Sequence, residues 1–199
     1  MNEKMMKTAK TLDTVAKIFG GIAQAVGIVF FVFALLVLIL GEKMVDASSM
    51  TLDLDFVKLS LAEEYQAITP MIRLYVVVGL VIGGGLCELI AFAVAQVRGI
   101  LQPIQEGRPF ENVVPDKLKK IAWISLAAGA FGEIASVVER MIAAKAYPMD
   151  AIFASSAITG IEYSYTVDFG FVFVFAILML LSYVFRYGSL LQQESDETL

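Results

Sequence analysis

IAWISLAAGAFGEIASVVERMIAA, Ile121 to Ala144, is the stretch whose reading decides the fold. At about 1.5 Å per residue it is about 36 Å long, enough to cross a hydrocarbon core of about 30 Å. It carries Glu133 near its middle. A carboxylate there costs about 3 kcal/mol on insertion scales, so such a residue usually faces protein and often has a function. Leu74 to Val97 is a second apolar segment, with Glu88 at a similar depth. The chain therefore reads as a membrane bundle organised around these two helices.

Two more segments complete the set. Ile18 to Leu40 is free of charge, and Phe169 to Tyr187 is rich in aromatics. Ile18–Leu40 exceeds the apolar core of a signal peptide, so it reads as a retained span. Its first half is small (Gly20, Gly21, Ala23, Ala25, Gly27) and is expected to pack on neighbours. Its bulky second half (Phe30, Phe31, Phe33) is expected to meet lipid. Composition agrees, since 58% of the 199 residues are hydrophobic and 18% charged. A soluble domain is about half apolar and a quarter charged.

The absences are also informative. The chain has no histidine and one cysteine, Cys87. That excludes histidine catalysis, histidine ligation, an intrachain disulfide and a cysteine metal cluster. With no evident nucleophile and base, the sequence reads as non-enzymatic and free of cofactor and metal. The bases are few and interleaved with acids, which argues against nucleic-acid binding.

The polar segments set the topology. Lys4, Lys7, Lys10 and Lys17 precede the first span. Residues 1–17 read as an amphipathic helix, either lying on an anionic leaflet or extending the span into water. The loop 98–120 carries Arg98, Arg108, Lys117, Lys119 and Lys120, and Arg186 follows the last span. Positive-inside then places both termini, this loop and the tail 188–199 in the cytoplasm, in a plasma membrane. Loops 41–73 and 145–168 fall outside.

Those outer loops hold two alternating stretches, Thr51–Val57 and Ile161–Asp168. They predict strands that pair with each other into a small cap. Ser60 to Gln66 resembles a capped helix start. The expected fold is an all-α membrane protein: a four-transmembrane-helix bundle with an extracytoplasmic two-stranded β element.

Candidate sites follow from side-chain chemistry. Glu88 and Glu133 lie about 13 Å and 18 Å from the cytoplasmic ends of their spans, close enough in depth to form a pair. One reading is a proton or cation site, since close carboxylates share a proton. The other is structural, with each acid hydrogen-bonded or one paired with Arg140 through a Glu133–Ser136–Arg140 stripe. Glu139 is expected to point elsewhere. Gly79 and Gly83 form a GxxxG step that serves either packing within the bundle or a homo-oligomer. Arg108, Phe110, Arg186 and Tyr187 form a candidate cytoplasmic docking surface, because positive-inside charge does not explain an aromatic at a polar turn.

Glu106-Gly107-Arg108-Pro109-Phe110, followed by the basic helix start Lys117–Ile121, resembles an element of a bacterial four-span family of unknown function. The ending Val184-Phe185-Arg186-Tyr187-Gly188, then Leu191-Gln192, is similar to that family's C-terminal signature. Members often stand beside small helix-turn-helix regulators. The resemblance implies a membrane regulator or sensor acting on such a partner, and it brings no catalytic residues. A small transporter, channel or immunity-type protein using Glu88 and Glu133 is the alternative. The bilayer itself is the partner common to both readings.

Overall fold

The computed structural model describes residues 3–41, 51–53, 58–60, 70–146 and 166–197. Its helices are α1 (Glu3–Leu40), α2 (Pro70–Gln105), α3 (Val113–Ala146) and α4 (Gly170–Glu197). Strands β1 (Thr51–Asp53) and β2 (Lys58–Ser60) lie between α1 and α2. All four helices are long and apolar enough to cross a membrane. The protein is thus a multi-pass membrane protein whose helices contact the bilayer.

Helix α1 has 38 residues and is about 57 Å long, well beyond a hydrocarbon core. Nothing at Lys17–Ile18 breaks it, so the basic N-terminal stretch continues the first span as one helix. The hydroxyls of Thr8, Thr11 and Thr14 donate to the carbonyls of Lys4, Lys7 and Lys10, which satisfies them locally. Helix α2 contains Pro103, which removes a donor only near its end. Helix α3 carries Pro115 in its first turn, where the missing N–H would have no partner anyway. Asp168 Oδ1 accepts from the Gly170 N–H at 2.7 Å and caps the start of α4.

The chain divides into two compact units. The first comprises Met1–Gly27, Gly85–Glu133 and Val167–Leu199. Here α1 meets α2 closely: a Cβ on Gly20 would sit 3.1 Å from Val94 Cγ1. Of the small residues at the start of the first span, Gly20 thus packs on a neighbour, whereas Gly21 is exposed with nothing against it. Helix α3 meets α4 through Trp123 and Phe175, ring centroids 5.1 Å apart and edge-on. Gly129 admits Phe171 so closely that a Cβ there would overlap it.

The second unit comprises Ile28–Gly84 and Ile134–Thr166. A Cβ on Gly83 would sit 3.0 Å from the Phe30 ring, and one on Gly79 would sit 3.3 Å from Glu139 Oε1. Both glycines of the GxxxG step thus receive side chains of this chain. Phe30 turns to α2, whereas Phe31 and Phe33 are exposed as expected of lipid-facing residues. Glu139, expected to point away from the Glu133–Ser136–Arg140 stripe, lies over Gly79, where a small residue leaves room for a larger side chain on a facing helix.

Strand β1 pairs antiparallel with β2, with Thr51 opposite Ser60, Leu52 opposite Leu59 and Asp53 opposite Lys58. The expected partner was Ile161–Asp168. Residues 161–165 lie outside the described residues, and Thr166 to Asp168 are not strand. Asp168 is committed to capping α4 instead. Ser60 belongs to β2 rather than to a helix start, and residues 61–66 lie outside the described residues.

Among the described residues, buried apolar side chains are few and mostly small: Ala9, Ala34, Ala122 and Ala135, with Val37, Ile72 and Val114. Lipid is as apolar as leucine, so helices gain from close approach at small residues rather than from hiding large ones.

Candidate functional site

The turn between α2 and α3 is built by backbone chemistry. Gly107 has φ +87°, the left-handed conformation that glycine adopts without a Cβ penalty. The Arg108 N–H donates to Pro103 O at 2.8 Å and the Gly107 N–H to Ile104 O at 3.2 Å. These two bonds close the helix end as a Schellman motif. The Val114 N–H then donates to Glu111 O at 2.9 Å, which starts α3.

That turn fixes Arg108 between two carboxylates. Its Nη2 donates to Glu106 Oε2, and its Nη1 lies 3.3 Å from Glu111 Oε2. The hydrogen bond to Glu106 and the charge of Glu111 raise the Arg108 pKa further above its ordinary value. Its positive charge is thus permanent but locally neutralised. Glu111 Oε2 is buried and has no hydrogen bond, only this ion pair.

The two sequence motifs meet here. Phe110 stacks at a tilt on Phe185, centroids 5.8 Å apart. A Cβ on Gly188 would lie 3.0 Å from Phe110 Cδ1, so glycine makes room for the ring. Ser182, buried on α4, donates to the Pro115 carbonyl at 2.8 Å. Beside these contacts a cavity of about 360 Å³ is lined by Arg108, Phe110, Glu111 and Asn112 from the turn and by Ser189, Gln192, Gln193 and Glu197 from α4. Its wall is mixed: amide, hydroxyl and charged groups share it with one aromatic ring and the apolar stems of the longer side chains. Such a surface can hydrogen-bond a polypeptide while holding one apolar side chain.

Arg186 and Tyr187 do not line this cavity. Both are exposed, and Tyr187 lies on the side of α4 away from α3. Of the four docking candidates, the cavity unites Arg108 and Phe110.

The intramembrane candidates are spread along α2 and α3. Glu88 is half-buried and has no hydrogen-bond or ion-pair partner among the described residues. Glu133 and Ser136 are half-buried and each engages a partner. Arg140 is exposed, with no hydrogen bond or ion pair among the described residues. A long cationic side chain near the end of a span can reach outward to water. No group of three or more potential metal ligands occurs among the described residues.

A second polar layer was not singled out in the sequence. Arg98 Nε donates to Asp13 Oδ1 at 2.8 Å, joining α1 to α2. Lys117 Nζ donates to Gln96 Oε1 at 3.1 Å, joining α3 to α2, and Gln96 is buried. The available signal was compositional: Asp13 is an acid inside a basic helix, and Gln96 a polar residue at the edge of an apolar span.

Comparison with curated proteins and with solved structures found no match. A family model described as "Protein of unknown function (DUF2975)" matches residues 60–199. That match contains the glycine–arginine turn, the C-terminal motif and the cavity between them. The chain belongs to the DUF2975 family of proteins of unknown function.

Proposed function

We propose that this protein is a non-enzymatic membrane regulator or sensor that holds a cytoplasmic protein, such as a transcription regulator, at the cavity between the α2–α3 turn and α4. The observation that carries this reading is the meeting of Phe110 with Phe185 and Gly188. It joins two separate polar segments into one recess at helix ends that the positive-inside rule assigns to the cytoplasm. The same rule assigns both termini to the cytoplasm and the β1–β2 ladder to the outside, where it could respond to a ligand. The absence of histidine and the single cysteine support a binding role over catalysis.

The test uses a photo-crosslinking amino acid at Gln192 in living cells, with Phe33 as the lipid-facing control. A soluble protein captured at Gln192, lost on Arg108→Ala and not captured at Phe33, is the expected result. Capture at neither position, together with cation or proton flux in liposomes that Glu88→Gln abolishes, would replace this reading with a transporter.

A further inference from the structure

A cavity of about 310 Å³ lies between α1 and α2 in the first unit and shares no lining residue with the recess at Phe110. Lys17 from α1 and Arg98 from α2 line it, with Gln24 further along α1. The rest of its wall is glycine and alanine with Val94, and no acid is among these lining residues. The two cations stand at one level. Asp13 pairs with Arg98, and Gly20 meets Val94, so α1 and α2 run antiparallel here. Lys17 follows Asp13 by one turn and precedes Gly20 by one turn.

Composition sets this level at the bilayer boundary. Lys17 is the last charge before the uncharged run Ile18–Leu40. That run is about 35 Å long and fills a hydrocarbon core of about 30 Å from end to end. Sliding α1 further in would bury Lys17, and sliding it out would expose apolar residues to water. The cations therefore meet the phosphate layer, and the small residues beyond them meet the first acyl methylenes.

Both cations have donors to give. Lys17 and Gln24 make no hydrogen bond or ion pair among the described residues. Arg98 bonds to Asp13 through Nε at 2.8 Å, which leaves its Nη groups to donate elsewhere. Asp13 cancels one of the two positive charges, so one remains. A phosphodiester carries one negative charge and accepts from a guanidinium fork and an ammonium together.

We infer that this cavity binds the headgroup end of an anionic phospholipid. The phosphodiester accepts from Lys17 and Arg98, and an ester carbonyl of the glycerol accepts from the Gln24 amide. One acyl chain lies along Gly21, Ala91 and Ala95, where a Cβ on Gly21 would meet nothing. The volume is at the small end of ligand sites, so it holds the glycerol phosphate and the start of a chain, with the remainder in the bilayer. A basic recess between spans, on the side that the positive-inside rule assigns to the cytoplasm, is where anionic headgroups are available. A zwitterionic lipid brings an ammonium of its own, which the two cations repel. The site stands independently of the protein partner assigned to the other recess.

Native mass spectrometry of the full chain, released from detergent with phosphatidylglycerol or phosphatidylcholine added, tests this. Phosphatidylglycerol is expected to be retained over phosphatidylcholine, and glycerol phosphate is expected not to displace it. Lys17→Gln is expected to lower that retention about fivefold, and Lys120→Gln, an equal charge change at an exposed position on α3, to leave it unchanged. Gly21→Leu keeps every charge but fills the open trough, and it is expected to lower retention with helix content by circular dichroism unchanged. Four results would overturn the proposal. They are equal retention of the two lipids, displacement by glycerol phosphate, equal effects of Lys17→Gln and Lys120→Gln, or full retention in Gly21→Leu.

Discussion

Ser182 on α4 donates its hydroxyl proton to the carbonyl of Pro115 in the first turn of α3, at 2.8 Å and out of reach of solvent. This bond sets the axial register of α4 against α3, and both the Phe110–Phe185 contact and the cavity beside it follow from that register. Ser182→Ala leaves the site apolar and of similar shape, so it should cost only about 1 kcal/mol. Thermal unfolding in detergent should show a drop of a few degrees. An unchanged midpoint would mean that the bond does not hold the two helices together.

Gly188 and Phe110 should behave as one unit. Gly188→Val places methyl groups where the Phe110 ring stands and should destabilise by about 1–3 kcal/mol. Phe110→Ala removes the obstacle, so the double variant should recover part of the loss. Unfolding midpoints of the four proteins give the coupling, expected at about 0.5–3 kcal/mol for groups in contact. Strict additivity would contradict the contact.

Gly129 should tolerate no side chain. A Cβ would overlap Phe171, and that contact involves the side-chain base rather than a flexible tip. Gly129→Leu should push α4 away and separate Phe175 from Trp123. Trp123 is the one tryptophan of the chain, so its emission reports this directly. A spectrum identical to the parent's would place α4 elsewhere.

The Asp13–Arg98 pair predicts charge-swap behaviour. Both side chains are partly exposed, so the pair should contribute no more than about 1 kcal/mol. Asp13→Arg should lower the unfolding midpoint, and adding Arg98→Asp should restore it. The difference should shrink as salt rises.

Glu88 predicts a gain rather than a loss. It is half-buried in an apolar span without a hydrogen-bond or ion-pair partner among the described residues. Glu88→Leu removes the cost of holding a carboxyl group there, about 2–3 kcal/mol on insertion scales, and should raise the midpoint. A marked fall would show that the acid holds the fold together.

The sequence by itself determined the four apolar spans, because a run of some twenty apolar residues has few stable environments besides lipid. Glycine and proline at the α2–α3 turn were legible too, since backbone conformation there is a local matter. The strand alternation at Thr51 was visible, but its partner was not: hairpin pairing within one loop and pairing across two loops leave the same local pattern. Only the tertiary structure decided that Gly79 and Gly83 receive Glu139 and Phe30 of the same chain, and that Asp13 reaches Arg98. It alone brought Phe110 to Phe185 and left Tyr187 on the far side of α4. Periodicity assigns a residue to a face of its own helix, whereas the rotation and axial shift of one helix against another come from the interlocking of many side chains at once.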